Sequence, residues 1–292
     1  MDFDGVYTDP TEEGEACSKY FQDKILACGL KNVGLDTVES VDSWMGELRA
    51  RQATRPFSFG WRSEGRVSAF TFEDPFIRNI GLADFLDYLA AEGDKKAKAI
   101  LTCLKASDQI SSFGELSEKA FLQLKMKKRA DPGAKKWVED AIQKGHEVII
   151  VSNSASEKIE EFLDQNHFAA DARPKVRGGA RKFGLGKNPR PILLAKDMDG
   201  QKNGDLNADT DRPTYEAALL ELQPDAIIGD VFCLDLTLPI HLKRTGKLPF
   251  KGGIFYFHRD YTPPTMVEIV TGRGTLVPEV TMVREWGQVP LQ

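Results

Sequence analysis

The stretch that most restricts the fold of this chain is Val148-Ile149-Ile150-Val151, four β-branched residues in a row with no polar alternation. A run of that kind fits a strand covered on both faces, as in a parallel sheet flanked by helices. Its surroundings agree. A helix is expected from about Ala134 to Lys144, after Asp131-Pro132-Gly133, with Gly145 as its cap, and another begins at Glu157. Between the run and that second helix lie Ser152-Asn153-Ser154, polar residues at the carboxyl end of the strand. In open parallel sheets the ligand crevice opens at that end.

The rest of the second half reads the same way. Ile192 to Ala195, Ala226 to Ile228 and Ile254 to Phe257 are short apolar runs expected to be buried strands. Arg212-Pro213 opens a helix running through Leu222, and the strand at Ala226 delivers Gly229-Asp230 and then Asp235. Phe168 to Asn188 is basic and Gly-rich, and is expected to be a solvated loop or hairpin; a phosphate-contacting surface is the alternative. The alternating tail, Met266 to Val270 and Val280 to Val283, has no assigned place.

The first half differs. Helices are expected over Ala16 to Leu30, Thr37 to Gln52, Ile77 to Ala91, Lys95 to Lys105 and Phe113 to Lys128, with a loop over Arg55 to Gly65 and one short strand over Arg66 to Phe72. The expected organisation is therefore an α/β core, residues 1–10 and 130–292, interrupted by a helical unit at 11–129.

The chain opens with Asp2-Phe3-Asp4-Gly5. In extended backbone alternate side chains share a face, so both carboxylates can aim at one point as the chain turns at Gly5. Two close carboxylates ionise together only with a cation nearby, a pairing suited to metal-assisted nucleophilic and acid/base chemistry. A frayed acidic end is the alternative reading of this stretch alone.

Bulk properties exclude several classes. The 292 residues carry a formal charge of −5, which argues against general nucleic-acid binding. No apolar run approaches the roughly 20 residues of a membrane helix, and no basic-then-apolar start marks an export signal. The four cysteines lack CxxC spacing and are expected to be reduced thiols in a cytoplasmic protein.

Four separated stretches, taken in order, resemble the haloacid dehalogenase-like (HAD) superfamily of hydrolases: Asp2-Phe3-Asp4-Gly5-Val6, Val148 to Asn153, Arg212-Pro213-Thr214-Tyr215, and Ile227-Ile228-Gly229-Asp230 through Asp235. The resemblance implies a three-layer α/β/α Rossmann-like core with a parallel sheet. The helical unit stands where many members insert a cap domain. It further implies a Mg²⁺-dependent hydrolase of a small phosphorylated metabolite, working through an aspartyl-phosphate. Asp2 would be the nucleophile and Asp4 the general acid and base. Ser152, the backbone of Asn153, and Arg212 would bind the phosphoryl group; Asp2, Asp230 and the Asp4 carbonyl would hold the metal, with Asp235 supporting that shell from behind or joining it.

Two departures stand out. The third motif usually carries Lys; here it is Arg212, with Lys182 and Lys196 as substitutes. The family's nucleophile ends a central strand, whereas only Met1 precedes Asp2, and its amino group is expected to pair with Asp2. Either the start is misplaced or the central strand is defective, which keeps open an inert relative that binds a ligand or partner. Asp205 to Glu216 partly resembles a calcium loop, although Thr210 stands where Gly is required, and a solvated loop is the expectation. The dispersed histidines and Arg259-Asp260-Tyr261 are expected to be structural.

Overall fold

A computed structural model describes residues 1–123, 130–168, 170–196, 198 and 204–291. The chain is mixed α/β and divides into two compact units. One takes Met1–Pro10, Arg62–Ala69 and Lys127–Gln292; the other takes Thr11–Trp61 and Phe70–Met126. The expected boundaries left the hairpin residues Arg62–Ala69 with the helical unit, and here they belong to the other one.

The helical unit carries α1 (Thr11–Ala27), α2 (Val38–Ala53), α3 (Pro75–Glu92), α4 (Lys95–Asp108) and α5 (Phe113–Gln123). The last part of the helix expected to reach Lys128 lies outside the described residues. Local chemistry sets several ends. Thr37 and Ser40 form a reciprocal capping box at α2, and Asp74 accepts the Ile77 amide ahead of α3, whose first residue is Pro75. Asp87, reaching across from α3, accepts the Phe113 and Gly114 amides that open α5. The helices bury one core containing Phe21, Trp44, Leu48, Phe85, Ile100 and Phe113.

The cysteine expectation is overturned for two of the four. Cys28 and Cys103 face each other with Cα atoms 6.0 Å apart and are joined by a disulfide, while Cys17 and Cys233 are free and buried. Their spacing in sequence gives no hint of the pair, because packing of α4 beside the end of α1 brings them together.

The α/β unit holds most of the strands. The stretch expected to be loop contains β1 (Gly60–Ser63), paired with β2 (Arg66–Phe70). Their two-residue link, Glu64-Gly65, has positive φ at both positions (50° and 72°), the geometry that matches strand twist in tight hairpins. In the second half, β3 (Ile149–Val151) lies between α6 (Pro132–Gln143) and α7 (Ser156–Gln165). It pairs in parallel with β4 (Lys175–Arg177), a strand inside the segment read as a basic loop. The β5 strand (Pro191–Ala195) is not part of a parallel sheet: it pairs antiparallel with β6 (Leu206–Asp209). After α8 (Pro213–Leu222) comes β7 (Ala226–Gly229), parallel to β8 (Gly253–Phe257) and through it to β9 (Val280–Val283). A π-helical turn, Phe232–Leu236, and α9 (Thr237–Arg244) follow β7, and α10 (Pro264–Thr271) falls between β8 and β9.

The opening residues join two of these sheets. The Met1 nitrogen donates to Ile149 O (2.8 Å) and Val151 N donates to Met1 O (2.8 Å), while Asp2 N donates to Ile228 O (3.0 Å). Met1-Asp2 is thus a two-residue strand between β3 and β7, parallel to β3. Phe3, Val6 and Tyr7 then bury among Val138, Ile150, Phe162 and Phe257. Among the described residues, no helix is long and apolar enough to cross a membrane.

The disulfide yields a test in the helical unit. Cross-linking residues 75 apart in sequence restricts the unfolded chain, typically by about 2–4 kcal/mol. Reduction, or Cys103→Ala, should lower the unfolding free energy of this unit by that amount and so move its denaturant midpoint downward. Identical unfolding curves with and without reductant, or a thiol titre of four in the folded oxidised protein, would exclude the bond.

Candidate active site

Three carboxylates from two distant parts of the chain meet at the strand ends. Oxygens of Asp2, Asp230 and Asp235 lie within 4.8 Å of one another. Asp2 follows Met1 in the central ladder, Asp230 follows β7 directly, and Asp235 sits in the π-helical turn beyond it. All three are buried, Asp230 and Asp235 almost completely. Gly5 is required here: its φ is +83°, and a Cβ at that position would stand 1.8 Å from Asp230 Oδ2. The turn after Asp4 and the Asp230 carboxylate therefore occupy adjoining space that no side chain can share.

The counter-charge is Lys182. Its Nζ donates to Asp2 Oδ1 at 2.7 Å and Asp235 Oδ1 at 2.9 Å, and the side chain is 2% exposed. Burial alone would lower the pKa of this ammonium, but the facing Asp2 and Asp235 carboxylates outweigh it and hold the group above the ordinary lysine value. Burial, followed by the neighbouring Asp235 charge, pushes Asp2 up to about 7 despite the lysine. Two carboxylates share one ammonium, and neither is fully balanced. The Met1 amino group, lowered to about 5 by burial and then by Lys182, donates to Ile149 O. The expected pairing of that amine with Asp2 is replaced by this strand-like bond.

Lys182 is placed by the loop that follows β3. Asn153 Oδ1 accepts the Lys182 amide (2.6 Å), and Ser152 O accepts the Ala180 amide (2.8 Å). Ser152 Oγ accepts the Ser154 amide, which tightens the turn. Ser154, given no role from sequence, sends its hydroxyl to Asp4 Oδ2 (3.4 Å), and Thr8 Oγ1 approaches the other Asp4 oxygen (3.5 Å). Asp4 is therefore beside the cluster through the β3 loop, and its side chain is not one of the grouped carboxylates.

Arg212 needs correction. It is fully buried, and its guanidinium donates to Ser68 Oγ, Ser68 O, Cys233 O and Lys182 O. Those carbonyls fasten the lysine loop, the π-helical turn and β2 together. Arg212 holds the backbone, and Lys182 supplies the charge next to Asp2. From sequence Lys182 is only a substitute because its loop reads as solvated, and composition does not reveal one inward residue among several outward ones. Lys196, the other substitute, is exposed.

Asp235 is engaged at both oxygens, with Lys182 at Oδ1 and the Val231 amide at Oδ2 (3.0 Å). Its part is to anchor Lys182 and the turn. Asp230 Oδ2 accepts the Tyr261 hydroxyl (2.7 Å). Arg259 donates to Gly5 O, Val6 O and Asp131 Oδ2. The Arg259-Asp260-Tyr261 segment thus steadies both Asp230 and the turn after Asp4. A hydroxyl aimed at a carboxylate 31 residues earlier leaves no mark in sequence.

The calcium-loop resemblance is not met. Asp209 and Asp211 accept the Arg190, Asp211 and Asn188 amides, and Arg66 and Arg190 pair with them. These acids brace a strand end and the start of α8.

No family model, curated protein or solved structure matches the chain. The site therefore stands on its own geometry.

Removing the ammonium should show how the cluster is balanced. Lys182→Ala leaves Asp2 and Asp235 facing each other without compensation, an arrangement that typically costs about 3–5 kcal/mol. In that variant Asp2 loses the lysine that opposes its upward shift, so its folded pKa lies further above its unfolded one. The stability that protonation supplies is then present at low pH and lost as pH rises through the folded pKa. The deficit relative to wild type should be smaller at pH 5 than at pH 8 in chemical denaturation. An equal deficit at both would mean that the carboxylates are not charged neighbours.

Proposed function

We propose that the protein is a Mg²⁺-dependent hydrolase of a small phosphorylated molecule, of the HAD-like kind, with a three-layer α/β/α Rossmann-like core. The observation that carries this reading is the meeting of Asp2, Asp230, Asp235 and Lys182 at the ends of Met1-Asp2 and β7, with Asp4 and the β3 loop beside them.

The donor set suits a hard cation. Clustered carboxylate oxygens are Mg²⁺ ligands, and the cradle between Gly5 and Asp230 is too tight for a side chain. Asp2 and Asp230 would hold the ion, with the Asp4 carbonyl completing the set that the resemblance implies. When bound, the ion draws charge from the phosphoryl oxygens and from Asp2.

In this reading an Asp2 oxygen attacks phosphorus and the bond to the leaving oxygen breaks, giving an aspartyl-phosphate. Asp4, hydrogen-bonded by Ser154, protonates the leaving oxygen. Asp4 then takes a proton from water as that water attacks phosphorus, and phosphate and free Asp2 result. Lys182, anchored by Asp235, balances charge on the nucleophile and phosphoryl group. Ser152 and the Asn153 backbone border the phosphoryl position, and Arg212 holds the loop that carries Lys182.

A second reading, an inert relative that binds a ligand or partner, draws on the Lys182 ammonium already engaging Asp2. Hydrolysis of an aryl phosphate with and without Mg²⁺ separates the two. Asp2→Asn should lose about 10³-fold or more of the Mg²⁺-dependent rate. Equal rates in both proteins would remove Asp2 as nucleophile. Beryllium fluoride with Mg²⁺ should also raise the wild-type melting temperature, and that of Asp2→Asn much less, since a ligand bound only by the native state stabilises it. Neither hydrolysis nor a fluoride shift in wild type would favour the inert relative.

A further inference from the structure

Lys182 holds two of the three clustered carboxylates, Asp2 and Asp235, and Asp230 is reached from a different loop. The Tyr261 hydroxyl donates to Asp230 Oδ2 at 2.7 Å. Tyr261 belongs to a four-residue turn, 259–262, between β8 and α10. The turn is closed twice: Thr262 N donates to Arg259 O (2.9 Å), and Arg259 N donates to Thr262 Oγ1 (2.8 Å). Thr262 is buried, and the Arg259 guanidinium carbon lies 4.5 Å from the centroid of the core residue Phe257. A turn bonded to itself and stacked on the core holds its side chains in fixed directions.

Two residues before Tyr261, Arg259 grips the chain that faces Asp230. Its Nε donates to Gly5 O (2.6 Å) and Nη2 to Val6 O (2.7 Å), while Nη1 pairs with Asp131 (3.0 Å). Phe3 O accepts the Tyr7 and Thr8 amides, both at 3.0 Å. The planar peptides on either side of the Asp4 carbonyl are thus tied down, which fixes that carbonyl's direction. One turn therefore holds both walls of the cradle in which a Cβ on Gly5 would stand 1.8 Å from Asp230 Oδ2. It sets the distance from the Asp4-Gly5 peptide to the Asp230 carboxylate. Such spacing matters most to a small ion. Mg²⁺ demands near-ideal octahedral geometry at about 2.0–2.1 Å, whereas Ca²⁺ accepts flexible shells at about 2.3–2.6 Å.

We propose that the turn 259–262 is a clamp that makes the carboxylate site selective for Mg²⁺ over Ca²⁺, with Tyr261 and Arg259 as its positioning residues. Tyr261 acts through Asp230, and Arg259 acts through the backbone that follows Asp4. Neither side chain is a ligand of the ion. The inference rests on the Mg²⁺-dependent reading above, and adds to it the part of the chain that discriminates between cations.

The experiment titrates Mg²⁺ and Ca²⁺ separately into metal-free protein by calorimetry, without substrate. Four proteins are compared: wild type, Tyr261→Phe, Arg259→Lys and Ile269→Val. Tyr261→Phe removes one hydroxyl and keeps the ring, and Arg259→Lys keeps the charge but loses the fork that reaches two carbonyls. Ile269→Val trims a buried side chain of α10 outside the cluster and is the control for lost packing. Wild type should bind Mg²⁺ more tightly than Ca²⁺. Tyr261→Phe should weaken Mg²⁺ binding by about 10–100-fold, the usual effect of losing a group that orients a metal ligand, and Ca²⁺ binding much less. Arg259→Lys should move the ratio of the two affinities in the same direction, and Ile269→Val should leave it unchanged. Loss of affinity for both ions by the same factor in Tyr261→Phe, or no loss for either, would overturn the clamp and leave the Mg²⁺ reading standing. A fall in the ratio for Ile269→Val as large as that for Tyr261→Phe would also overturn it, since selectivity would then follow stability. Wild type that binds neither ion would remove the Mg²⁺ reading and the clamp together.

Discussion

One ammonium group between two carboxylates organises the α/β unit. Lys182 is buried against Asp2 and Asp235, and removing it would leave two carboxylates out of water without a counter-charge. Much of the surrounding hydrogen bonding is explained by that constraint. Asn153 holds the Lys182 amide, Arg212 holds its carbonyl, and Tyr215 donates to the Asp235 carbonyl. The groups that fix the lysine come from the β3 loop, the start of α8 and the turn after β7, so the triad is the point at which those segments are registered against one another.

That registration explains why the chemistry gathers at strand ends. β3, Met1-Asp2 and β7 are adjacent in the ladder, and their following residues emerge at one edge. Ser152, Asp4 and Asp230 arrive there from three separate stretches of chain. The Gly5–Asp230 contact sets how closely the second and third approach, and Arg259 and Tyr261 hold both from the next loop. A buried carboxylate cluster of this density is costly to assemble, and Lys182 offsets part of that cost.

The sequence carried part of this and concealed part. The β-branched run at 148–151 announced β3 with its flanking helices, and the Gly229-Asp230 stretch announced the end of β7, because buried strands leave strong local patterns. Asp2, Asp230 and Asp235 could be named through the resemblance of their motifs to a known family. Other features depend on contacts that no local pattern encodes. Lys182 and Arg212 exchanged roles because a basic, Gly-rich segment looks the same whether one residue points inward or none does. The short strands β1, β4 and β6 escaped notice because four residues or fewer hold too little periodicity to separate them from loop. The Cys28–Cys103 bond required knowing which helices touch.

The hairpin residues Arg62–Ala69 belong to the α/β unit although helical-unit residues flank them on both sides. Ser68 gives Arg212 both a hydroxyl and a carbonyl, and Arg66 reaches Asp209 and the Gly186 carbonyl. The α/β unit is therefore encoded in three pieces. A minimal version made by splicing residue 10 to residue 127 would discard an internal brace along with the helices. Dissecting this protein calls for a shortened loop that returns the hairpin, because the genetic boundary of the helical insert and the physical boundary of the unit it interrupts do not coincide.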